Sequence, residues 1–160
     1  MTRRRSGVCW LIQVCIIGSL LVAGCGLGVR SRALFGGTIA VKVQTAPLAN
    51  QNNPVAVDVL FVYDRDLLNT LLQMSASDWF AKREQLARDY PQQSGFAVWS
   101  WEWVPGQIVL PQELPLQPKA RAGVVFARYL SPGAHRARFD PYNGISLELG
   151  ETDFQVKPLT

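Results

Sequence analysis

The chain has few of the residues that build catalytic centres, metal sites and disulfides. Its 160 residues include three cysteines and one histidine. Cys9 and Cys15 lie in an apolar N-terminal segment, so Cys25 is the one cysteine outside it. A disulfide needs two cysteines, and a zinc site needs three or four Cys, His or carboxylate ligands. The sequence therefore predicts no metal and no disulfide, and the stability of the fold must come from apolar burial.

Catalytic motifs are also lacking. His135 is the single histidine and follows a Pro-Gly turn, and no Gly-x-Ser-x-Gly elbow is present. We interpret His135 as an exposed loop residue. Asp64 and Asp66 are two residues apart, but the glycine and glutamate of a calcium-binding loop are absent, and helix capping explains both acids. Since no phosphate-binding loop occurs either, we predict that the chain is not an enzyme and has no cofactor.

Excess charge of one sign is confined to the N-terminus. The chain has 16 Lys and Arg against 12 Asp and Glu, and setting aside the three arginines Arg3–Arg5 leaves 13 against 12. Nucleic-acid binding requires a basic face or stripe. Arg121, Arg128, Arg136 and Arg138 form only a loose basic group, which we interpret as a solvated face. We therefore predict no nucleic-acid partner.

No apolar run is long enough to cross a bilayer as a helix. The longest, Val8–Val22, has 15 residues, whereas a spanning helix needs roughly 20. It follows the basic Arg3–Arg5 and precedes the small residues Ala23 and Gly24. Basic flank, apolar core and small residues before a cut are typical of a secretory signal. We predict a signal peptide over residues 1–24.

The end of this signal resembles the lipobox of bacterial lipoproteins, with Val22-Ala23-Gly24-Cys25 fitting all four positions. The resemblance implies that Cys25 receives a diacylglycerol, that the chain is cut before it, and that the new amine is acylated. Several acyl chains hold a protein stably on a bilayer. In that family an Asp directly after the lipidated cysteine marks a lipoprotein for retention in the inner membrane. Here that position holds Gly26, so the resemblance implies the outer membrane. The alternative is a secreted protein in which Cys25 is incidental.

The remaining 136 residues suffice for one domain. The glycine-rich segment 25–37 is predicted to be a flexible, lipidated tether, and residues 38–160 to be the domain. Strict alternation predicts strands over Thr38–Val43 and Val55–Tyr63.

Helical spacing then predicts two helices. One covers Arg65–Gln73 with Asp64 as its cap, and one begins after Ser75 and ends near Asp89. On the second, Trp79 and Phe80 are expected to face the core, and Arg83 to face water. Later strands are predicted over 96–104, 107–110, 122–130, 134–139, 145–149 and 153–156, with 111–118 as an edge or a loop.

This order of elements predicts a mainly β fold. Seven or eight short strands with regular turns indicate a sandwich, with the two helices inserted between strands 2 and 3. Because strands and helices do not alternate, a parallel sheet is not expected.

One strand face carries Trp99, Trp101 and Trp103. These tryptophans could form the sandwich core, a patch for docking a protein, or a platform for carbohydrate. Core is favoured, because aromatic residues at strand spacing usually pack inside.

In sequence order, these elements resemble a known family. The signal with its lipobox is followed by two strands, a helical pair containing Ser77-Asp78-Trp79-Phe80, and a strand ending in Trp103-Val104-Pro105-Gly106-Gln107. The chain resembles the outer-membrane lipoprotein of type VI secretion systems, the TssJ family, or an accessory lipoprotein related to it. The resemblance implies a transthyretin-like β-sandwich with an added helical element.

The resemblance also implies a structural role. In that family several copies, arranged in a ring, bind the periplasmic region of the inner-membrane subunit TssM and fix the complex to the outer membrane. The loop between the first two strands makes the contact. Here that loop and its flank comprise Gln44, Thr45, Pro47, Leu48, Asn50, Gln51, Asn52 and Asn53. The alternative is an envelope lipoprotein that binds glycan or peptidoglycan through the tryptophan face.

Overall fold

The structure, a computed structural model, describes residues 28–91 and 94–159. The predicted signal peptide and Cys25 lie outside the described residues, so acylation stays a prediction. In chain order the elements are helix α1 (Gly28–Leu34), strand β1 (Thr38–Thr45), a 3-10 helix (Ala49–Asn52), β2 (Val55–Val62), α2 (Arg65–Leu71), α3 (Ala76–Asp89), β3 (Phe96–Trp103), β4 (Gln112–Pro115), β5 (Ala122–Arg128), β6 (Arg136–Phe139), β7 (Ile145–Leu149) and β8 (Phe154–Pro158).

The eight strands form two four-stranded sheets. Sheet I has the order β4-β1-β7-β8 and sheet II the order β3-β2-β5-β6. Neighbouring strands are antiparallel except β1 and β7, which are parallel. The predicted mainly β sandwich, with two helices between its second and third strands, is confirmed.

Strand β2 is buried on both faces. Val55, Val57, Val59 and Phe61 point into the core between the two sheets. Alternate residues such as Leu60 point the other way and pack under α2 and α3 in a second cluster. A strand covered on both sides needs an almost continuous apolar sequence, which is why this segment gave the clearest strand signal.

The tryptophan face of β3 is turned toward the core between the sheets. Trp103 is 4% exposed, while Trp99 and Trp101 are partly buried and pack against the same core. Trp99 meets Phe61 edge to face with ring centroids 5.0 Å apart, and Trp101 stacks on Trp103 at 5.5 Å. Of the three interpretations of this face, the structure supports the core.

Both helices on sheet II begin at the predicted caps. Asp64 accepts a hydrogen bond from the Leu67 amide at 2.7 Å at the start of α2. At α3, Ser75 Oγ accepts from the Asp78 amide at 3.1 Å, and Asp78 accepts in return from Ser75. Those bonds from Ser75 hold the pKa of the Asp78 carboxyl below its ordinary value. The interpretation of Asp64 as a helix cap is confirmed.

Helix α3 supplies the partners of a buried carboxylate. Asp58 on β2 is 1% exposed, and its Oδ2 accepts from Trp79 Nε1 at 2.7 Å and from an Arg83 guanidinium nitrogen at 3.0 Å. Arg83, which was expected to face water, does so only in part: its side chain is 43% exposed, and its guanidinium is paired with Asp58. A charge buried in a sheet is stable only with such partners. The Arg83 guanidinium carbon also lies over the ring of Phe80, 5.2 Å from its centroid.

Two other segments differ from expectation. In the segment interpreted as a flexible tether, residues 28–34 form α1, and Ala33 packs in the core with 6% exposure. The strand expected over 107–110 contributes only one isolated bridge, from Ile108 to Gln44. The chain instead crosses from sheet II to sheet I, where β4 pairs with β1.

We expect Arg83→Ala to lower the free energy of unfolding by about 2 kcal/mol, because the buried Asp58 carboxylate loses a charged hydrogen-bond donor. Arg88→Ala on the same helix is the matched control, since the Arg88 guanidinium donates to the exposed side chain of Gln85 and not to a buried carboxylate. Urea unfolding followed by circular dichroism measures both. Equal stability of the two variants would contradict a stabilising role for the Asp58–Arg83 pair.

Candidate functional site

Four connections meet at one end of the sandwich. The pairing of Thr45 with Leu149 and of Val55 with Trp103 brings the corresponding strand ends to the same level. We call this group of connections the loop end. It consists of the β1–β2 loop (46–54), the β3–β4 loop (104–111), the β5–β6 loop (129–135) and the β7–β8 turn (150–153).

The β1–β2 loop holds three successive residues in the left-handed region. Asn50, Gln51 and Asn52 have φ values of 48°, 54° and 62°. This conformation costs roughly 1–2 kcal/mol per non-glycine residue, and asparagine tolerates it better than most. Such a run persists only where the surroundings hold it, so neighbouring groups keep this loop in a defined conformation.

Asn50 makes several of the hydrogen bonds that stabilise this conformation. It is 3% exposed. Its Nδ2 donates to the Pro54 carbonyl at 2.9 Å, and its Oδ1 accepts from the Leu130 amide at 2.7 Å. Its own amide donates to the Gly150 carbonyl at 3.1 Å, and the following amide donates to Glu151 at 3.2 Å. One side chain and two amides thus fasten the β1–β2 loop to two other connections of the loop end.

The β3–β4 loop is fastened to the same unit. The Gly106 amide donates to the Ala46 carbonyl at 3.1 Å, and Thr45 Oγ1 donates to the Gln107 carbonyl at 2.9 Å. Gly106 has a φ of 68°, where a glycine is favoured. The turn at Pro105-Gly106 therefore holds two loops of the loop end together.

His135 is buried, contrary to the expectation of an exposed loop residue. It is 7% exposed and stacks on Tyr129 with ring centroids 5.0 Å apart. Its Nδ1 lies 2.9 Å from Asp153 Oδ1 and its Nε2 lies 2.8 Å from the Ser131 carbonyl oxygen. Through these contacts His135 joins the β5–β6 loop to the β7–β8 turn. Beside the ring, burial and, to a lesser extent, the Asp153 carboxylate raise the pKa of the Tyr129 hydroxyl.

Ser131, His135 and Asp153 do not form a catalytic triad. In a triad, the histidine contacts the serine hydroxyl and activates it. Here the ring contacts the serine carbonyl, and Ser131 Oγ donates to the carbonyl of Thr152 at 2.5 Å. The arrangement can fix loop geometry, but it leaves no activated nucleophile.

The structure separates the eight predicted contact residues into surface and support. Asn50 is buried, and Thr45 is partly buried with its hydroxyl engaged, so these two residues support the loop. The other six residues are exposed and can meet a partner: Gln44, Pro47, Leu48, Gln51, Asn52 and Asn53.

Exposed apolar side chains accompany these amides. Leu48 is 56% exposed, and on neighbouring loops Val104, Ile108, Leu110 and Leu130 are 51%, 93%, 76% and 64% exposed. Sequence reasoning assigned Ile108 and Leu110 to a strand and missed their exposure. Clusters of exposed apolar side chains mark interaction surfaces. We call these five residues the apolar group of the loop end.

Other kinds of site are not seen in the part of the chain that the structure describes. Within residues 28–91 and 94–159, no cluster of three or more His, Cys, Asp or Glu side chains could hold a metal ion. In the same ranges no helix combines the length and apolarity that a membrane crossing requires. The exposed amides and apolar group therefore make the loop end the candidate docking surface.

Comparison with known proteins identifies the fold. No family model and no curated protein matches the sequence. The structure matches the T6SS lipoprotein TssJ1 from Pseudomonas aeruginosa with a TM-score of 0.61, at 14% identity, over 78% of this chain and 98% of that one. The structure also matches Serratia marcescens Lip, a membrane bound component of the type VI secretion system, with a TM-score of 0.57, at 13% identity, over 78% of this chain and 97% of that one.

A third match is a chain in a structure of the T6SS protein TssM C-terminal domain from EAEC. Its TM-score is 0.56 at 15% identity, over 76% of this chain and 98% of that one. At such identities the likeness concerns the fold. The chain has a TssJ-like fold.

We expect Asn50→Gly to lower the free energy of unfolding by about 2 kcal/mol more than Asn52→Gly does. Glycine suits the left-handed backbone at both positions, so the difference reports the two side-chain hydrogen bonds that the buried Asn50 makes and Asn52 does not. Chemical denaturation of the two variants gives this difference. If both lose the same stability, the Asn50 side chain does not hold the loop.

Proposed function

We propose that this chain is a non-enzymatic outer-membrane lipoprotein that anchors a type VI secretion envelope complex. Acyl chains on Cys25 hold it to the membrane, and the loop end binds the periplasmic region of a TssM-like inner-membrane protein. The observation that carries the proposal is a TssJ-like fold whose β1–β2 loop is locked in one conformation by Asn50.

The structures that share the fold support this direction. One is a type VI secretion lipoprotein, another is membrane bound, and a third is a structure of the TssM C-terminal domain. The lipobox ending in Cys25 is independent support, because it comes from the signal segment and not from the fold.

The loop end has the composition of a docking surface. Protein interfaces combine apolar contacts at the centre with polar groups at the rim. Here Leu48 and Ile108 supply exposed apolar area, and Gln51, Asn52 and Asn53 supply exposed amides. Because the backbone is already held, binding need not order the loop, which reduces the entropic cost of association.

Several copies in one complex would bind more firmly than one. Linked or adjacent copies raise the effective concentration of each site, so a modest contact per copy suffices. A ring of lipoproteins around an inner-membrane partner is the arrangement we propose for this avidity.

The glycan-binding alternative finds no support in the described residues. It needs exposed aromatic rings, but Trp103 is buried, and Trp99 and Trp101 pack on the core. The neighbours in structure are secretion lipoproteins, which also supports a structural role over a catalytic one.

We expect the double variant Leu48→Ser/Ile108→Ser to bind the partner at least roughly tenfold more weakly than the unmodified protein, because it removes two apolar contacts from the docking surface. The partner to use is the soluble periplasmic C-terminal region of the TssM-like protein from the same organism. Isothermal titration calorimetry gives the two dissociation constants.

Asn69→Ser is the control, since Asn69 is exposed on α2, which follows the end of β2 opposite the loop end. It should bind like the unmodified protein, and both variants should keep the unmodified circular dichroism spectrum. Unchanged affinity in the double variant would contradict docking through the loop end. Failure of the unmodified protein to bind would contradict the proposed function.

A further inference from the structure

Helix α1 lies at the end of the sandwich opposite the loop end. It precedes the first residue of β1, Thr38, whereas the β1–β2 loop follows the last, Thr45. Eight strand residues at about 3.3 Å each place the two ends roughly 25 Å apart. We call the end formed by α1 and residues 35–37 the anchor end.

The anchor end is attached to the sandwich. Ala33 packs in the core between the sheets with 6% exposure. The helix ends at Leu34, and in the turn that follows Gly36 has a φ of 75° and the Gly37 amide donates back to the Arg32 carbonyl at 2.8 Å. The Leu116 amide donates to the Gly37 carbonyl at 2.8 Å, which ties the turn to the segment after β4. The helix therefore has a fixed position relative to both sheets.

Two large apolar side chains project from this end. Leu34 is 72% exposed and Phe35 is 89% exposed. Adjacent exposed residues of this size at a fixed position call for a cover, because leaving them in water forgoes the gain from burial.

The segment that joins Cys25 to the anchor end is too short to let α1 move far from Cys25. Cys25 precedes Gly28, the first residue of α1, by three residues. Extended chain covers at most about 3.5 Å per residue, so this connection spans about 11 Å at most. If Cys25 carries acyl chains, α1 starts within the headgroup layer or directly above it.

Charge at the same end favours a phospholipid surface. Arg32 on α1 is exposed. At the same end of the sandwich, the connection before β5 carries Lys119 and Arg121, and β6 carries Arg138. These three side chains line an open cavity in which Asp140 is the one lining carboxylate. Basic side chains close to a bilayer are attracted by lipid phosphates.

We propose that the anchor end rests on the bilayer, with Leu34 and Phe35 inserted among the lipid headgroups and upper acyl carbons. This inference rests on the proposed function, because it requires acylated Cys25. Its consequence is orientation: the short attachment and the apolar contact hold the sandwich upright, and the loop end faces away from the membrane. The segment after Cys25 is then part of the membrane contact that orients the domain, and it is not a flexible spacer.

The test places a polarity-sensitive label on the full-length lipoprotein. Phe35→Cys carries a nitrobenzoxadiazole group, and Glu151→Cys, exposed in the β7–β8 turn, is the matched control. The acylated sulfur of Cys25 cannot react, and Cys9 and Cys15 leave with the signal peptide, so each variant has one site for the label. The proteins are reconstituted in vesicles of phosphatidylethanolamine and phosphatidylglycerol.

We expect a blue-shifted emission at position 35 that is quenched by headgroup-nitroxide lipid, and water-like emission at position 151. Leu34→Ser in the Phe35→Cys background should reduce the shift. Water-like emission at position 35, in protein that floats with the vesicles, would overturn the membrane contact while leaving the anchor intact. A shift that appears only at high protein density, or only with the partner present, would assign Leu34 and Phe35 to a protein contact and overturn the inference. Protein that carries no acyl group and does not float would overturn both this inference and the proposed function.

Discussion

Strand β2 is hydrogen-bonded along both edges and covered on both faces, and the other elements take their positions from it. Its register with β3 and β5 aligns the connections of sheet II, and its inward side chains pack against sheet I. The parallel pairing of β1 with β7 brings the β1–β2 loop and the β7–β8 turn to the same end of the sandwich. The two ends of the sandwich are therefore separated by the full length of rigid strands, which is the geometry that a connector requires.

Polar contacts add what apolar packing cannot specify. Packing alone would allow the β1–β2 loop many conformations, but Asn50 joins it to Leu130 and to Gly150 through defined hydrogen bonds. On the face of β2 that packs under α2 and α3, Asp58 fixes the position of α3 through Trp79 and Arg83. Each of these groups is buried and would be costly without its partner, so each one selects a single arrangement.

Local pattern accounts for most of the elements, and long-range contacts account for the errors. Alternation located Val55–Tyr63 within one residue of β2, because a pleated strand buries every second side chain. Ser75 and Asp78 are close in sequence, so their capping box could be read directly. His135 is buried by Asp153 and Tyr129, and Arg83 is drawn inward by Asp58, 25 residues earlier. No local periodicity carries such pairings.

We propose that one domain holds a membrane at one end and a protein partner at the other at the same time. Vesicle flotation with the acylated protein and the soluble periplasmic region of its TssM-like partner tests this double attachment. We expect the partner to float with vesicles that carry the lipoprotein, and both proteins to remain together in the dense fraction when Cys25→Ser replaces it. A partner that stays in the dense fraction while the acylated lipoprotein floats would show that the domain does not join the two.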